Sequence, residues 1–285
     1  MSDIEAEQRS VARKLRLSEG LTHWCHEGRA QDTPIVLVHG ATVPSWEFDL
    51  LVPPLLRRGF QTLRFDLYGH GASARPAGAY TLERFTRQLV EVLEAADIAR
   101  PATLLGHSFG AAVVADVAAR RPDLARELVL VAPMLDFSST SRWAALFRSR
   151  VIGPLAMQLL GVPALVRRRR RRYASLGQPQ FTARFIEQAS EEGFARAIAS
   201  MFRTDALADR SGQYAALHSF EGEILVVSGE HDVIVPPEHV ARLRALLPAH
   251  RHLSVPAEHN LLLTHPEAVA DALAAWRLSR DLDAA

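Results

Sequence analysis

The string Gly106-His107-Ser108-Phe109-Gly110 has the form G-x-S-x-G. A serine hydroxyl is a poor nucleophile until a base takes its proton, so the pattern has meaning only where the chain can supply that base. The pattern is also common, and in an ordinary glycine-containing turn it would carry no chemistry. Its surroundings decide between the two readings. The apolar run Ala102–Leu105 precedes it, and the helix-like Ala111-Ala112-Val113-Val114-Ala115 follows. A serine on a tight strand-to-helix turn is held exposed, provided that its flanking residues are small. Gly106, Gly110 and Ala111 meet that demand.

The chain holds 12 histidines, so the base has to be chosen by position. His259 follows the last apolar run, in Val255-Pro256-Ala257-Glu258-His259-Asn260, on a loop at a strand's carboxyl end. His250 and His252 flank the start of that strand and belong at the opposite edge. His265 precedes Pro266 at a helix start, where a structural role is expected. The base in turn needs an orienting carboxylate. Asp232 follows the run Ile224–Val227 in Ser228-Gly229-Glu230-His231-Asp232, giving the chain order Ser, Asp, His. Glu230 and Asp136 are the competitors, and either would otherwise read as a helix cap or a solvated loop acid.

Attack by Ser108 on a carbonyl would also need donors for the oxyanion. One is expected from the Phe109 amide. The second is expected from the loop His39-Gly40-Ala41-Thr42, where Gly40 permits a sharp turn that aims the Ala41 amide; Thr42 is the alternative.

Short apolar runs bounded by turn residues are the elements that would position these groups. They are Ile35–Val38, Gln61–Phe65, Ala102–Leu105, Leu128–Val131, Ile224–Val227 and His252–Val255. Such runs fit strands buried on both faces, as in a parallel sheet. Helical spacing separates them at Glu47–Arg58, Leu82–Ala96, Ala111–Arg120, Glu238–Leu247 and Pro266–Arg277. The alternation predicts an α/β fold with a doubly wound, mostly parallel sheet. It lapses from Asp136 to about Ala216, where helix-like sequence replaces strands. The expected organisation is a core in two parts, residues 1–135 and 216–285, with a helical cap at 136–215 beside the strands' carboxyl ends. Within the cap, Val151–Val166 is apolar but broken by Pro154, Gly161 and Pro163, and runs into Arg167–Arg172. The expectation is short helices whose apolar faces roof the pocket while the arginines are solvated. A sharper alternative is a lid whose apolar and basic residues make peripheral contact with anionic lipid.

Composition narrows the classes. The 285 residues are 48% hydrophobic and 23% charged, which suits a packed globular protein. Thirty-three basic against 32 acidic side chains give a net charge of +1, too even for a nucleic-acid binder. Cys25 is the only cysteine, which excludes an internal disulfide and a cysteine-based zinc site. The first 20 residues interleave acids and bases and lack a signal's apolar centre. No stretch has the roughly 20 apolar residues of a membrane span. A cytoplasmic protein is expected, acting on a small molecule without metal or organic cofactor.

Together these strings resemble the α/β-hydrolase superfamily across nearly the whole chain. The likeness rests on His39-Gly40 after one run, Asp66-Leu67-Tyr68-Gly69-His70-Gly71-Ala72-Ser73 after the next, GHSFG, GEHD and the AEH near the end. It implies a capped, esterase- or lipase-like branch with Ser108 as nucleophile, Asp232 as acid and His259 as base. Asp66 and His70 belong to a loop that shapes the site's edge and receive no chemistry. Haloalkane dehalogenases and epoxide hydrolases of this fold use an aspartate where this chain has Ser108. Carbon–carbon-bond hydrolases typically place Asn before the serine and Trp after the histidine, whereas His107 and Asn260 stand here. The reaction implied is cleavage of a carboxylic ester of a small or medium apolar acid. Carbon–carbon cleavage, cofactor-free perhydrolysis and a slow-turnover ligand receptor share the same scaffold.

Overall fold

The computed structural model describes residues 11–96, 98–137 and 144–283. In chain order its strands are β1 (Val11–Leu17), β2 (Gly20–Glu27), β3 (Thr33–Val38), β4 (Phe60–Phe65), β5 (Ala102–His107), β6 (Ala125–Val131), β7 (Glu223–Gly229) and β8 (Arg251–Val255). They form one eight-stranded sheet in the order β1-β2-β4-β3-β5-β6-β7-β8. From β4 to β8 all neighbours are parallel, while β1–β2 and β2–β4 are antiparallel.

The six apolar runs became β3 to β8, but the β1–β2 hairpin was not legible as strands. Its residues include Arg13, Lys14, Arg16 and His23. An antiparallel edge can leave one face in water, so it alternates polar and apolar residues rather than forming a run.

Helices cover both faces. The expected helix Glu47–Arg58 is broken into a 3₁₀ turn at Ser45–Phe48 and α1 (Val52–Arg57). Pro53 and Pro54 suit the start of α1, where the first amides have no helical partner. α2 (Leu82–Ala95) begins at Thr81, whose hydroxyl accepts the Arg84 amide at 3.2 Å. α2 and α3 (Phe109–Arg120) bury Phe85, Leu89, Val113 and Val117 on one side of the sheet. On the other side Leu55 of α1 packs with Val269, Leu273 and Trp276 from the last helix. Each such side chain contributes about 1.5–3 kcal/mol on full burial.

Between β6 and β7 the described residues form helices and turns: α4 (Ala144–Arg148), α5 (Gly153–Ala156), α6 (Val162–Ser175), α7 (Gln180–Ser190), α8 (Phe194–Arg203) and α9 (Ser211–Ala215). A single wide π turn at Met157–Gly161 joins α5 to α6. It lies just before Pro163, which has no amide to give to a regular helical ladder. This segment is tied to the sheet's edge by buried Gln188. Its amide nitrogen donates to the Thr42 carbonyl at 2.9 Å, and its oxygen accepts the Gly71 amide at 3.1 Å. Beyond β7 come α10 (Pro237–Arg244), α11 (Leu261–Thr264) and α12 (Pro266–Asp283).

The apolar stretch 151–166 does not roof the cavity as expected. Val151, Ile152, Leu155, Leu159 and Leu160 are exposed. Only Ala164 and Leu165 of that stretch line the site. The arginines after it are mostly exposed, as expected of a solvated face, yet all of Arg167–Arg172 except Arg170 also line the cavity. Leu155, Leu159 and Leu160 fall on the outward face. No helix among the described residues is long and apolar enough to cross a membrane.

Candidate active site

Ser108 sits between β5 and α3 with φ 53° and ψ −112°. A non-glycine residue held there costs on the order of 1–3 kcal/mol, so its surroundings must fix it. Its amide donates to the Val131 carbonyl at 2.9 Å, and its carbonyl accepts the Ala111 and Met134 amides, both at 3.1 Å. The flanking glycines are required by space. A Cβ on Gly106 would lie 2.3 Å from the Gly110 carbonyl oxygen, and one on Gly110 would lie 2.1 Å from that of Val38.

The other expected groups leave the carboxyl ends of neighbouring strands. Asp232 follows β7 and His259 follows β8. His259 Nδ1 and Asp232 Oδ2 are 2.7 Å apart, and Asp232 Oδ1 accepts the Ile234 and Val235 amides at 2.8 Å each. Burial opposes the Asp232 charge, but the bond to His259 and the two amides outweigh it and hold its pKa below the usual carboxylate value. Burial lowers the His259 pKa; Asp232 opposes that shift, while the positive charges of His107 and Arg169 reinforce it. The imidazole is therefore neutral at pH 7, as a base must be. Ser108 and His259 line one cavity of about 610 Å³, with no hydrogen bond between them among the described residues. Asp136 and Glu230 do not occupy the contact that Asp232 makes.

The loop after β3 carries the other expected donor. The Gly40 amide is committed to Glu47 Oε1 at 2.9 Å. Those of Ala41 and of Phe109, at the start of α3, have no partner among the described residues. Ala41 lines the cavity, as does Thr42, whose hydroxyl accepts from Arg169 at 2.9 Å. His39 fixes this loop. Its Nε2 accepts the Leu67 amide at 2.8 Å, which leaves the proton on Nδ1 for the Gly40 carbonyl at 2.7 Å.

Two residues with a part in this architecture carried no signal in the sequence. Glu47 and His107 are both buried, and His107 Nδ1 lies 3.1 Å from Glu47 Oε1. Burial disfavours both charges, yet their attraction prevails, raising the His107 pKa and lowering that of Glu47. Sixty positions separate them, so no local spacing marks the pair.

Asp66 and His70 shape the edge, as the resemblance implied. Asp66 Oδ1 accepts from the Ser45 amide at 2.9 Å and its hydroxyl at 2.6 Å, and Oδ2 accepts the Ala72 amide at 2.9 Å. Against the cost of burial, these bonds and His23 bring Asp66 to about 2. Burial drives His70 down to about 4. No group of three or more His, Cys, Asp or Glu among the described residues could hold a metal ion.

The cavity has two kinds of wall. Met134, Phe137, Ile198, Met201, Phe202 and Leu207 make one side apolar, and the arginines of α6 make another positive.

Known proteins share this plan. A 2-hydroxy-6-oxo-2,4-heptadienoate hydrolase of Pseudomonas putida is 28% identical over 89% of this chain and 90% of its own. A dihydrolipoyllysine-residue acetyltransferase component of an acetoin cleaving system, also from Pseudomonas putida, is 29% identical over 82% of this chain. The match spans only 61% of that relative's length. Among solved structures, a hydrolase from Pseudomonas aeruginosa is 27% identical and superposes with a TM-score of 0.71, covering 93% of this chain and 97% of that one. The sequence matches the alpha/beta hydrolase family over residues 35–272, and the chain belongs to that family.

Proposed function

We propose that this hydrolase cleaves a carboxylic ester through an acyl-enzyme, with Ser108, His259 and Asp232 as its triad. The observation that carries the reading is the 2.7 Å contact of Asp232 with His259 on the cavity that Ser108 also lines. Ser108 Oγ attacks the carbonyl carbon while His259 Nε2 takes the hydroxyl proton. The carbonyl electron pair moves onto oxygen, where the Phe109 and Ala41 amides receive it. As the tetrahedral centre collapses, the bond to the leaving alkoxide breaks and His259 returns the proton to it. Water, deprotonated by His259, then attacks the acyl carbon; the Ser108 ester bond breaks, Ser108 regains its proton and the acid leaves. Asp232 holds the imidazole with its proton on Nδ1 and stabilises the imidazolium. The helical segment between β6 and β7 acts as a cap, and its α8 side chains receive the apolar part of the substrate.

The test is labelling with a fluorophosphonate together with hydrolysis of 4-nitrophenyl esters of increasing chain length. Ser108→Ala should abolish labelling and lower turnover by on the order of 10⁴-fold or more while melting like the parent. A folded alanine variant that retains a tenth of the parent turnover would remove Ser108 from the role.

A further inference from the structure

Five arginines on one helix face an active-site cavity whose only acidic lining residues, among the described residues, are Glu47 and Glu258. Both glutamates are taken. Glu47 is paired with His107, and Glu258 lies 3.1 Å from Arg172. Arg169 is held too, by Thr42 Oγ1 at 2.9 Å, by Asn260 Oδ1 at 3.3 Å and over the Phe185 ring at 5.7 Å. That leaves Arg167, Arg168 and Arg171 lining the cavity with no acidic partner among the described residues. The side chains of Arg167, Arg168 and Arg171 remain exposed along the lining. Partial burial and the neighbouring Arg169 lower the Arg168 pKa, against the attraction of Asp232. Arg168 therefore lies within electrostatic reach of the catalytic carboxylate, and Arg169 within reach of His259.

Clustering like charges in a partly desolvated wall is unfavourable, and an anion placed between them relieves it. A guanidinium also offers a planar fork that matches an oxoacid group in two parallel hydrogen bonds. The remaining lining includes Met134, Phe137, Ile198, Met201, Phe202 and Leu207, so the cavity fits a molecule with an apolar body and a charged end.

We propose that the substrate carries an anionic oxoacid group, a carboxylate or a phosphate, bound among Arg167, Arg168 and Arg171 while its apolar part lies against α8. This deepens the hydrolase reading of the same cavity and departs from the wholly apolar acid expected from sequence. Arg169 acts differently, tying α6 to Thr42 and Asn260.

The experiment compares charged and neutral twins. Binding of 4-nitrophenyl glutarate and of its methyl ester to the Ser108→Ala protein is measured by calorimetry. A second pair, 4-(butanoyloxy)benzoate and its methyl ester, places the charge on the leaving group. The expected result is at least about a tenfold preference for the charged member of one pair, corresponding to 1.4 kcal/mol. The preference should shrink towards unity in Arg167→Gln/Arg168→Gln/Arg171→Gln and weaken with salt. Arg170→Gln, outside the cavity lining, should preserve it. Competition by free glutarate against inorganic phosphate identifies which oxoacid the site takes. Equal affinities within both pairs, or a preference that survives the triple substitution, would overturn the anion site. Those results leave fluorophosphonate labelling intact. Conversely, turnover by Ser108→Ala would sink the hydrolase reading while the affinity ratio still reported on the arginines.

Discussion

His107 Nε2 lies 3.2 Å from the main-chain carbonyl of His259, so the residue before the proposed nucleophile grips the loop that carries the proposed base. Its other nitrogen meets Glu47, which also takes the Gly40 amide. Burial opposes the His107 charge, yet Glu47 raises its pKa. One buried pair thus joins three loops: the one after β3, the turn after β5 and the one after β8.

Uncoupling these loops should cost rate more than affinity. His107→Gln keeps a donor but loses the reach to both partners. It is expected to lower kcat by about 10- to 100-fold, the scale of a small misplacement of reacting groups, with KM changing far less. Equal losses in kcat and in thermal stability without a kcat–KM split would mark the pair as structural only.

The choice of acid can be tested against its competitor. Asp232→Asn preserves shape but stabilises the wrong imidazole tautomer, a change worth about 10⁴ in rate. Asp136→Asn should stay within a few-fold of the parent. Steady-state kinetics of the two variants decides the assignment, and a reversed ranking would move the acid to the loop after β6.

Chain-length preference should follow the apolar wall of the cavity. Phe202 lines that wall, whereas Leu159 and Leu160 are 62% and 53% exposed. Phe202→Ala should raise KM for longer acyl chains by about 5- to 30-fold, equivalent to ~1–2 kcal/mol of lost apolar contact. Leu159→Ser and Leu160→Ser should alter it by no more than about twofold, as exposed positions do. A larger effect of the leucine substitutions would show that substrate reaches the outer face.

The pH profile follows from His259. Burial and the charges of His107 and Arg169 lower its pKa below 6.5, and the proposed mechanism requires the neutral imidazole. Activity should therefore be lost as pH falls through that lowered value and be on its plateau at pH 7. A kcat/KM profile with its acidic limb below 6.5 is the expected measurement; a limb above 6.5 would mean that Asp232 outweighs burial.

Space at the serine turn should be unforgiving. Gly110→Ala forces a Cβ to 2.1 Å from the Val38 carbonyl oxygen, and neither backbone can yield without moving β3 or α3. A loss of at least about 2 kcal/mol in chemical denaturation is expected. A parent-like midpoint would show that the two elements can separate.

The sequence by itself determined the parallel sheet and the chain order of the candidate site residues. Runs buried on both faces must be apolar throughout, so β3 to β8 announce themselves. Groups placed just after such runs must emerge on one edge, which is why Ser108, Asp232 and His259 could be singled out. What depends on phase and on distant partners was decided only in the tertiary structure. The β1–β2 hairpin alternates with charges because its place at the sheet's edge lets one face stay wet. Glu47 and His107 are 60 positions apart, and only folding brings both beneath the site. Val151–Val166 reads as a roof because it is apolar, yet Leu155, Leu159 and Leu160 lie outside while arginines of α6 line the cavity. Hydrophobicity along a chain fixes what can be buried, but the direction in which a short helix faces is set by what it packs against.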